Sequence, residues 1–218
     1  MIKNETLVDK GYRELKNAIV SGKFSPGQAL PQRMIAEQFG ITTITVREIL
    51  RKLQHDGFIH IEPKWGASVT ELGPEQIKGK YLVREALERM SARLIVENAT
   101  KDDFNILHEL ADKCDSAFQA TQPDRVLTAQ IHYDFHISIA NASHCKEFVK
   151  ELKRINLQIL MWFNALRTDY TWHRENPNWH KKLVDEFKTR DPLRAEKAIS
   201  AHIKKGLDAE LESIGNRP

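Results

Sequence analysis

The sequence predicts a mainly α protein: an N-terminal winged helix-turn-helix followed by an all-α six-helix antiparallel bundle. Three observations predict it. Up to about Thr70, short helical patterns mix with two short strand-like runs, whereas beyond it almost every segment repeats at the helical period. Between Gln32 and Arg51, a small residue, a glycine and an apolar anchor fall at the spacing of two helices joined by a tight turn. Between the two regions, Glu71-Leu72-Gly73-Pro74 carries the breakers of a connector, so residues 1–72 and 73–218 are expected as two domains.

Each element of the first region has a local cause. Ala36 is the small residue where two helices touch, Gly40 makes the turn and Val46 anchors the second helix. Ile35, Phe39, Ile41 and Ile49 fill the other positions that must face a three-helix core. Thr42 is a good N-cap, and the second helix then runs from Thr43 to about His55. With Val46, Ile49, Leu50 and Leu53 turned inward, the 100° step per residue puts Thr43, Ile44, Arg47, Glu48 and Arg51 outward. That face suits a DNA major groove: an Arg can grip guanine or phosphate, and Ile44 can meet a thymine methyl. A solvated basic face on a helical hairpin is the plainer alternative. Phe58–Glu62 and Ala67–Thr70, joined through Pro63-Lys64-Trp65-Gly66, read as a β-hairpin wing with Lys64 at its tip and Gly66 allowing close approach to DNA.

In the second region helices are expected at about 74–97, 102–119, 124–141, 145–169, 178–190 and 192–213, with Pro74 in the first turn of the first. Polar or Pro-containing breaks such as Thr121-Gln122-Pro123 and Asn176-Pro177-Asn178 separate most of them. Helices of this length form a bundle.

Composition narrows the class further. Over 218 residues, hydrophobic residues make up 41% and charged residues 29%, which excludes disorder and fibrous repeats. The N-terminus lacks the apolar run of a secretion signal, and no segment approaches the roughly 18–20 apolar residues that cross a bilayer. A soluble, cytoplasmic protein without membrane association is expected. Cys114 and Cys145 stand alone and are expected as reduced, packed thiols. The net charge is +3, and residues 1–72 hold ten Lys and Arg against eight Asp and Glu, hence +2. Charge alone therefore does not locate a nucleic-acid site.

Four of the nine histidines are organised. His132 and His136 lie four apart on one face with Phe135 and Ile139. His180 shares a stripe with Leu183, Val184 and Phe187, and His202 lies beside Ile199 and Ile203, so all four point towards a bundle interior. Each alone could be a core histidine with a hydrogen-bond partner. Four converging imidazoles are hard to satisfy with helical backbone, and a divalent transition metal, zinc or nickel, resolves the conflict.

The residues Gly22, Pro26-Gly27, Leu30, Ile35-Ala36, Phe39-Gly40-Ile41, Val46-Arg47-Glu48, Leu50, Leu53, Asp56-Gly57 and Gly66 resemble the GntR family of regulators over about residues 10–70. By that resemblance Arg33, Arg47 and Gly66 take DNA-contacting positions, while Thr43 stands where many members carry Arg. The second region looks like the FCD ligand-binding domain of the FadR/VanR branch, through Arg84 with Leu87-Glu88, Phe135-His136, His180 and His202. The resemblance implies a metal held by an Asp and three histidines. His136, His180 and His202 match the histidines, and His132 stands where relatives have Asp. It also assigns Arg84 to an effector carboxylate, the alternative being a surface Arg paired with Glu88. The expected function is a homodimeric regulator, usually a repressor in this family, that binds a palindromic double-stranded DNA operator and answers to a small organic carboxylate. Two rivals stay open: a metal-dependent enzyme, and a regulator with a metal-free, acyl-ligand-sensing bundle.

Overall fold

The computed structural model describes residues 6–155, 157–167 and 170–215. After Leu72 the chain divides into two compact units. The first contains α1 (Leu7–Val20), α2 (Gln32–Phe39), α3 (Thr43–His55), β1 (Ile59–Glu62) and β2 (Gly66–Val69). Local chemistry sets their ends. The Thr6 hydroxyl accepts from the Asp9 N–H at 3.1 Å, and the Thr42 hydroxyl accepts from the Thr45 N–H at 3.2 Å. Gly40 closes α2 at φ 63°, a left-handed conformation that glycine adopts without steric cost. Leu15, Ile19, Ile35, Val46, Ile49, Leu50, Leu53 and Phe58 form the core. Phe39 and Ile41, expected inside, are only half-buried beside the turn.

The hairpin pairs Ile59 with Val69 and Glu62 with Gly66. A third extended segment, not read from the sequence, lines the other edge of β2. The Gly27 N–H donates to the Val69 carbonyl at 3.0 Å, the Val69 N–H to the Gln28 carbonyl at 2.9 Å, and the Leu30 N–H to the Ala67 carbonyl at 2.7 Å. Two edges of β2 are thus satisfied.

The second unit comprises α4 (Pro74–Asn98), α5 (Lys101–Gln119), α6 (Arg125–Ala142), α7 (Lys146–Arg154), α8 (Leu157–Arg167), α9 (Thr171–Glu175), α10 (Trp179–Lys188) and α11 (Pro192–Gly215). Five of the six expected helices lie within two residues of these bounds. The helix expected at 145–169 is instead two, and residues 156, 168 and 169 of that span lie outside the described residues. Burial changes across the break. α7 exposes Lys146, Glu147, Lys150, Lys153 and Arg154, whereas α8 buries Leu157, Ile159, Leu160, Met161, Trp162 and Phe163, so the two stretches differ in the faces they must bury. Lys80 of α4 donates to the Ile155 carbonyl at 2.9 Å, satisfying an acceptor at the break. Cys114 is buried and Cys145 half-buried, both as free thiols.

Candidate DNA-binding face and histidine centre

On the first unit, Thr43, Ile44, Arg47, Glu48 and Arg51 are exposed along α3, with Ile44 as much as 68% accessible. Arg47 Nε donates to Gln32 Oε1 at 3.0 Å, which positions its guanidinium beside the start of α2. Arg33 is exposed on α2 and lies 3.4 Å from Glu37. Lys64 is exposed at the wing tip with φ 75°. At Gly66, φ is 86° and an added Cβ would meet nothing within 4 Å, so the glycine serves backbone conformation rather than space. Sequence reasoning passed over Trp65, which is 86% exposed next to Lys64. Cations and apolar groups on one exposed helix and an adjoining wing can meet phosphates and base edges together.

In the second unit, His132 and His136 on α6, His180 on α10 and His202 on α11 are all buried. One ligand nitrogen from each of His132, His136 and His202 lies within 4.8 Å of the others. His180 falls outside that set but adjoins it, its ring centroid 5.3 Å from His132 and 5.1 Å from His202. Nε2 of His180 and Nδ1 of His202 are buried without a hydrogen-bond partner.

Two carboxylates orient the rings. Glu88 Oε2 takes the Nδ1–H of His136 at 2.6 Å, and Asp115 Oδ1 takes that of His180 at 2.8 Å. Each bond fixes a tautomer whose Nε2 lone pair faces away from the carboxylate, the usual arrangement behind a metal-ligating histidine. Asp115 also accepts the backbone N–H of His180 at 3.0 Å and of Lys181 at 3.2 Å. Arg84 is neither a surface residue nor a lone cation. It is 1% exposed, with Nε on Glu88 Oε1 at 2.6 Å and NH2 on His136 Nε2 at 2.7 Å.

Burial, reinforced by neighbouring imidazoles and Arg84, pushes His132 and His202 well below the usual histidine range. Burial and Arg84 bring His136 down to about 4 against the opposing pull of Glu88. Burial would raise Glu88 and Asp115, but the bonds from His136 and Arg84, and from His180, outweigh it and hold both carboxyls below their ordinary values. At neutral pH His132, His136 and His202 are therefore unprotonated and Glu88 and Asp115 ionised, the state a metal requires.

Asp115 was missed in the sequence, and Glu88 was read only as a partner for Arg84. Both were visible as charged residues on apolar stripes. Asp115 sits among Leu107, Ala111, Cys114 and Phe118, and Glu88 among Tyr81, Ser91 and Ile95. A groove of about 540 Å³ between α10 and α11 reaches His202, with walls from Trp179, Leu183 and Ala201 and a rim bearing Lys182 and Lys197.

A winged helix-turn-helix with an exposed cationic face, joined to an all-helical domain with a buried polar centre, defines a DNA-binding transcriptional regulator. The chain belongs to the GntR family of bacterial regulatory proteins: that family matches residues 7–69 and the FCD domain matches residues 80–205. It is similar to the HTH-type transcriptional regulator YdhC of Bacillus subtilis, 25% identical over 196 residues covering 88% of this chain and 85% of the relative. It is also similar to a probable D-xylose utilization operon transcriptional repressor of Paenarthrobacter nicotinovorans, 24% identical over 202 residues covering 90% and 85%. The solved structure of Escherichia coli McbR/YncC shares the fold, with a TM-score of 0.75 at 21% identity, over 96% of this chain and 99% of that one. These families and relatives are transcriptional regulators, not enzymes, which removes the metal-dependent enzyme from the alternatives. Among the described residues, no helix is long and apolar enough to cross a membrane.

Proposed function

We propose that this regulator is a cytoplasmic, homodimeric repressor whose residues 1–72 read a palindromic operator and whose residues 73–218 sense a small organic carboxylate beside a divalent transition metal. The observation that carries the metal reading is the buried set His132, His136 and His202, with ligand nitrogens within 4.8 Å. The unpartnered Nε2 of His180 supports it as a fourth ligand, and an all-imidazole donor set suits zinc or nickel. When bound, the ion supplies a fixed positive charge that attracts an anion. Glu88 and Asp115 hold the tautomers of His136 and His180, Arg84 offers a guanidinium to the effector carboxylate, and the groove at His202 gives access past Lys182 and Lys197.

On the DNA side, Arg33, Thr43, Ile44, Arg47, Arg51, Lys64 and Gly66 form the contact set, supported by their exposure on α2, α3 and the wing. One 13-residue recognition helix reads few bases, so two copies are needed for a specific site. α4 offers a face for the second copy, since Leu82, Val83, Ala86 and Met90 lie exposed along one side of it. The likeness to the Paenarthrobacter nicotinovorans relative, a probable transcriptional repressor, supports repression.

The test is elemental analysis after metal-limited dialysis and re-addition, with melting temperature in parallel. About one ion per chain is expected. Loading at a hundredfold excess over Kd stabilises by about 2.7 kcal/mol, or about 5–11 °C for a chain of this size, and chelation reverses the gain. A melting temperature indifferent to zinc, nickel and cobalt overturns the metal reading and favours the metal-free bundle.

A further inference from the structure

We propose that Arg84 and the metal are alternative partners of a single nitrogen, His136 Nε2, so that metal binding releases an Arg84 N–H and couples the metal to a monoanion. The inference rests on the metal reading above and adds an exchange that makes occupancy of the two sites interdependent.

The His136 ring has given its Nδ1–H to Glu88 at 2.6 Å. Its one remaining lone pair is at Nε2. Arg84 NH2 donates to that atom at 2.7 Å, and His132 Nε2 lies 3.0 Å from it. Arg84 is held at its other side by Glu88 Oε1 at 2.6 Å, so the guanidinium closes a ring of bonds with Glu88 and His136. A metal ion needs the same lone pair. Coordination by His136 therefore removes the acceptor of the Arg84 NH2 group in a position that is 1% exposed to water.

Charge points the same way. Among the groups hydrogen-bonded to His136 and His180, Arg84 carries one positive charge and Glu88 and Asp115 one negative charge each. The fourth imidazole, His132, adds no charge. A dication turns this net negative charge into a net positive one. A single carboxylate between the ion and the released guanidinium N–H restores both the charge balance and the lost hydrogen bond. A neutral or cationic ligand restores neither. Linkage then requires that the anion tighten the metal by the same factor as the metal tightens the anion.

The experiment measures Co(II) and Zn(II) affinity by competition with a chromophoric chelator, in chloride and in acetate buffers of equal ionic strength. For the wild-type protein, acetate is expected to raise metal affinity within the roughly 5–150-fold range of allosteric couplings. The variant Arg84→Met removes the competing donor and its charge, while the Glu88 carboxylate still accepts the His136 Nδ1–H. It is expected to bind metal in chloride roughly tenfold more tightly than wild type and to lose most of the acetate response. If that variant does not fold by circular dichroism, Arg84→Lys keeps the charge but not the fork, and is expected to shift in the same direction. A variant that binds metal no more tightly in chloride, or responds to acetate as wild type does, overturns the proposal. Wild-type protein that binds metal without any acetate effect overturns the exchange and leaves the metal reading standing. Protein that takes up no metal in either buffer overturns both.

Discussion

Replacing Asp115 by alanine tests how the start of α10 is held. Asn178 precedes that helix in a left-handed conformation and makes no side-chain capping bond, so the capping acceptor comes from α5. Asp115 takes two backbone N–H groups, at 3.0 and 3.2 Å, and the imidazole Nδ1–H of His180 at 2.8 Å, while only 5% exposed. Loss of a cap costs about 1 kcal/mol. Leaving a buried imidazole N–H without an acceptor adds about 1–3 kcal/mol, and losing a negative charge at a helix N-terminus adds about 0.3–1 kcal/mol. The sum, about 2–5 kcal/mol, corresponds to a melting temperature about 5–20 °C lower for a chain of this size. The assay is a thermal scan by circular dichroism at neutral pH in chelator, which excludes any contribution from metal. Asp115→Asn keeps a carbonyl acceptor and should fall by less. A drop under about 2 °C for Asp115→Ala refutes the assignment of Asp115 as the remote cap of α10.

Two further outcomes are expected. With duplexes selected from a random pool, Arg47→Ala costs about 1–3 kcal/mol and relaxes preference at one base position, whereas Lys64→Ala weakens all sequences alike and reduces the salt slope by about 1; equal losses on selected and scrambled duplexes for Arg47→Ala would deny it a base contact. Burial pushes the Asp103 carboxyl up, but the Thr100 hydroxyl and N–H together with His144 outweigh this and hold it below the usual range. Its support of α5 is therefore complete above the unfolded value of about 4 and is lost as pH falls through the lower folded value. Urea midpoints across that acid window should fall more steeply for wild type than for Asp103→Asn; parallel curves would show that Asp103 adds nothing to acid stability.

What the sequence made legible was governed by short-range chemistry. Gly40 and Thr42 act on the backbone within a few residues, so the turn and the start of α3 stand where spacing put them. Helical periodicity likewise turned His132, His136, His180 and His202 inward, because the face a side chain takes depends only on its register with nearby apolar residues. Long-range terms escaped. Asp115 meets His180 across 65 positions, and Glu88 meets His136 across 48, so no local pattern could pair them. The break after α7 has neither Gly nor Pro at Ile155; it goes with the burial of α8, and the Lys80 amine satisfies the Ile155 carbonyl from 75 positions away. Of the two readings of Arg84, the surface one fails for the same reason, since i,i+4 spacing predicts its bond to Glu88 but says nothing of the water around it.

The segment at Gly27–Leu30 gives the wing an uneven stiffness. β2 is bonded on both flanks, whereas the turn at 63–65 projects beyond the pairing of Glu62 with Gly66. The root of the hairpin can shift against the rest of its unit only by breaking several backbone bonds at once, while the tip bends at little cost. On the proposed DNA-binding reading, the span from α3 to the root of the wing is thus dictated by the protein, while the tip at Lys64 adjusts. An operator of slightly different groove width or twist must be strained to match it, and that strain falls on base steps that no side chain touches, so part of the sequence preference is written in the elasticity of the DNA.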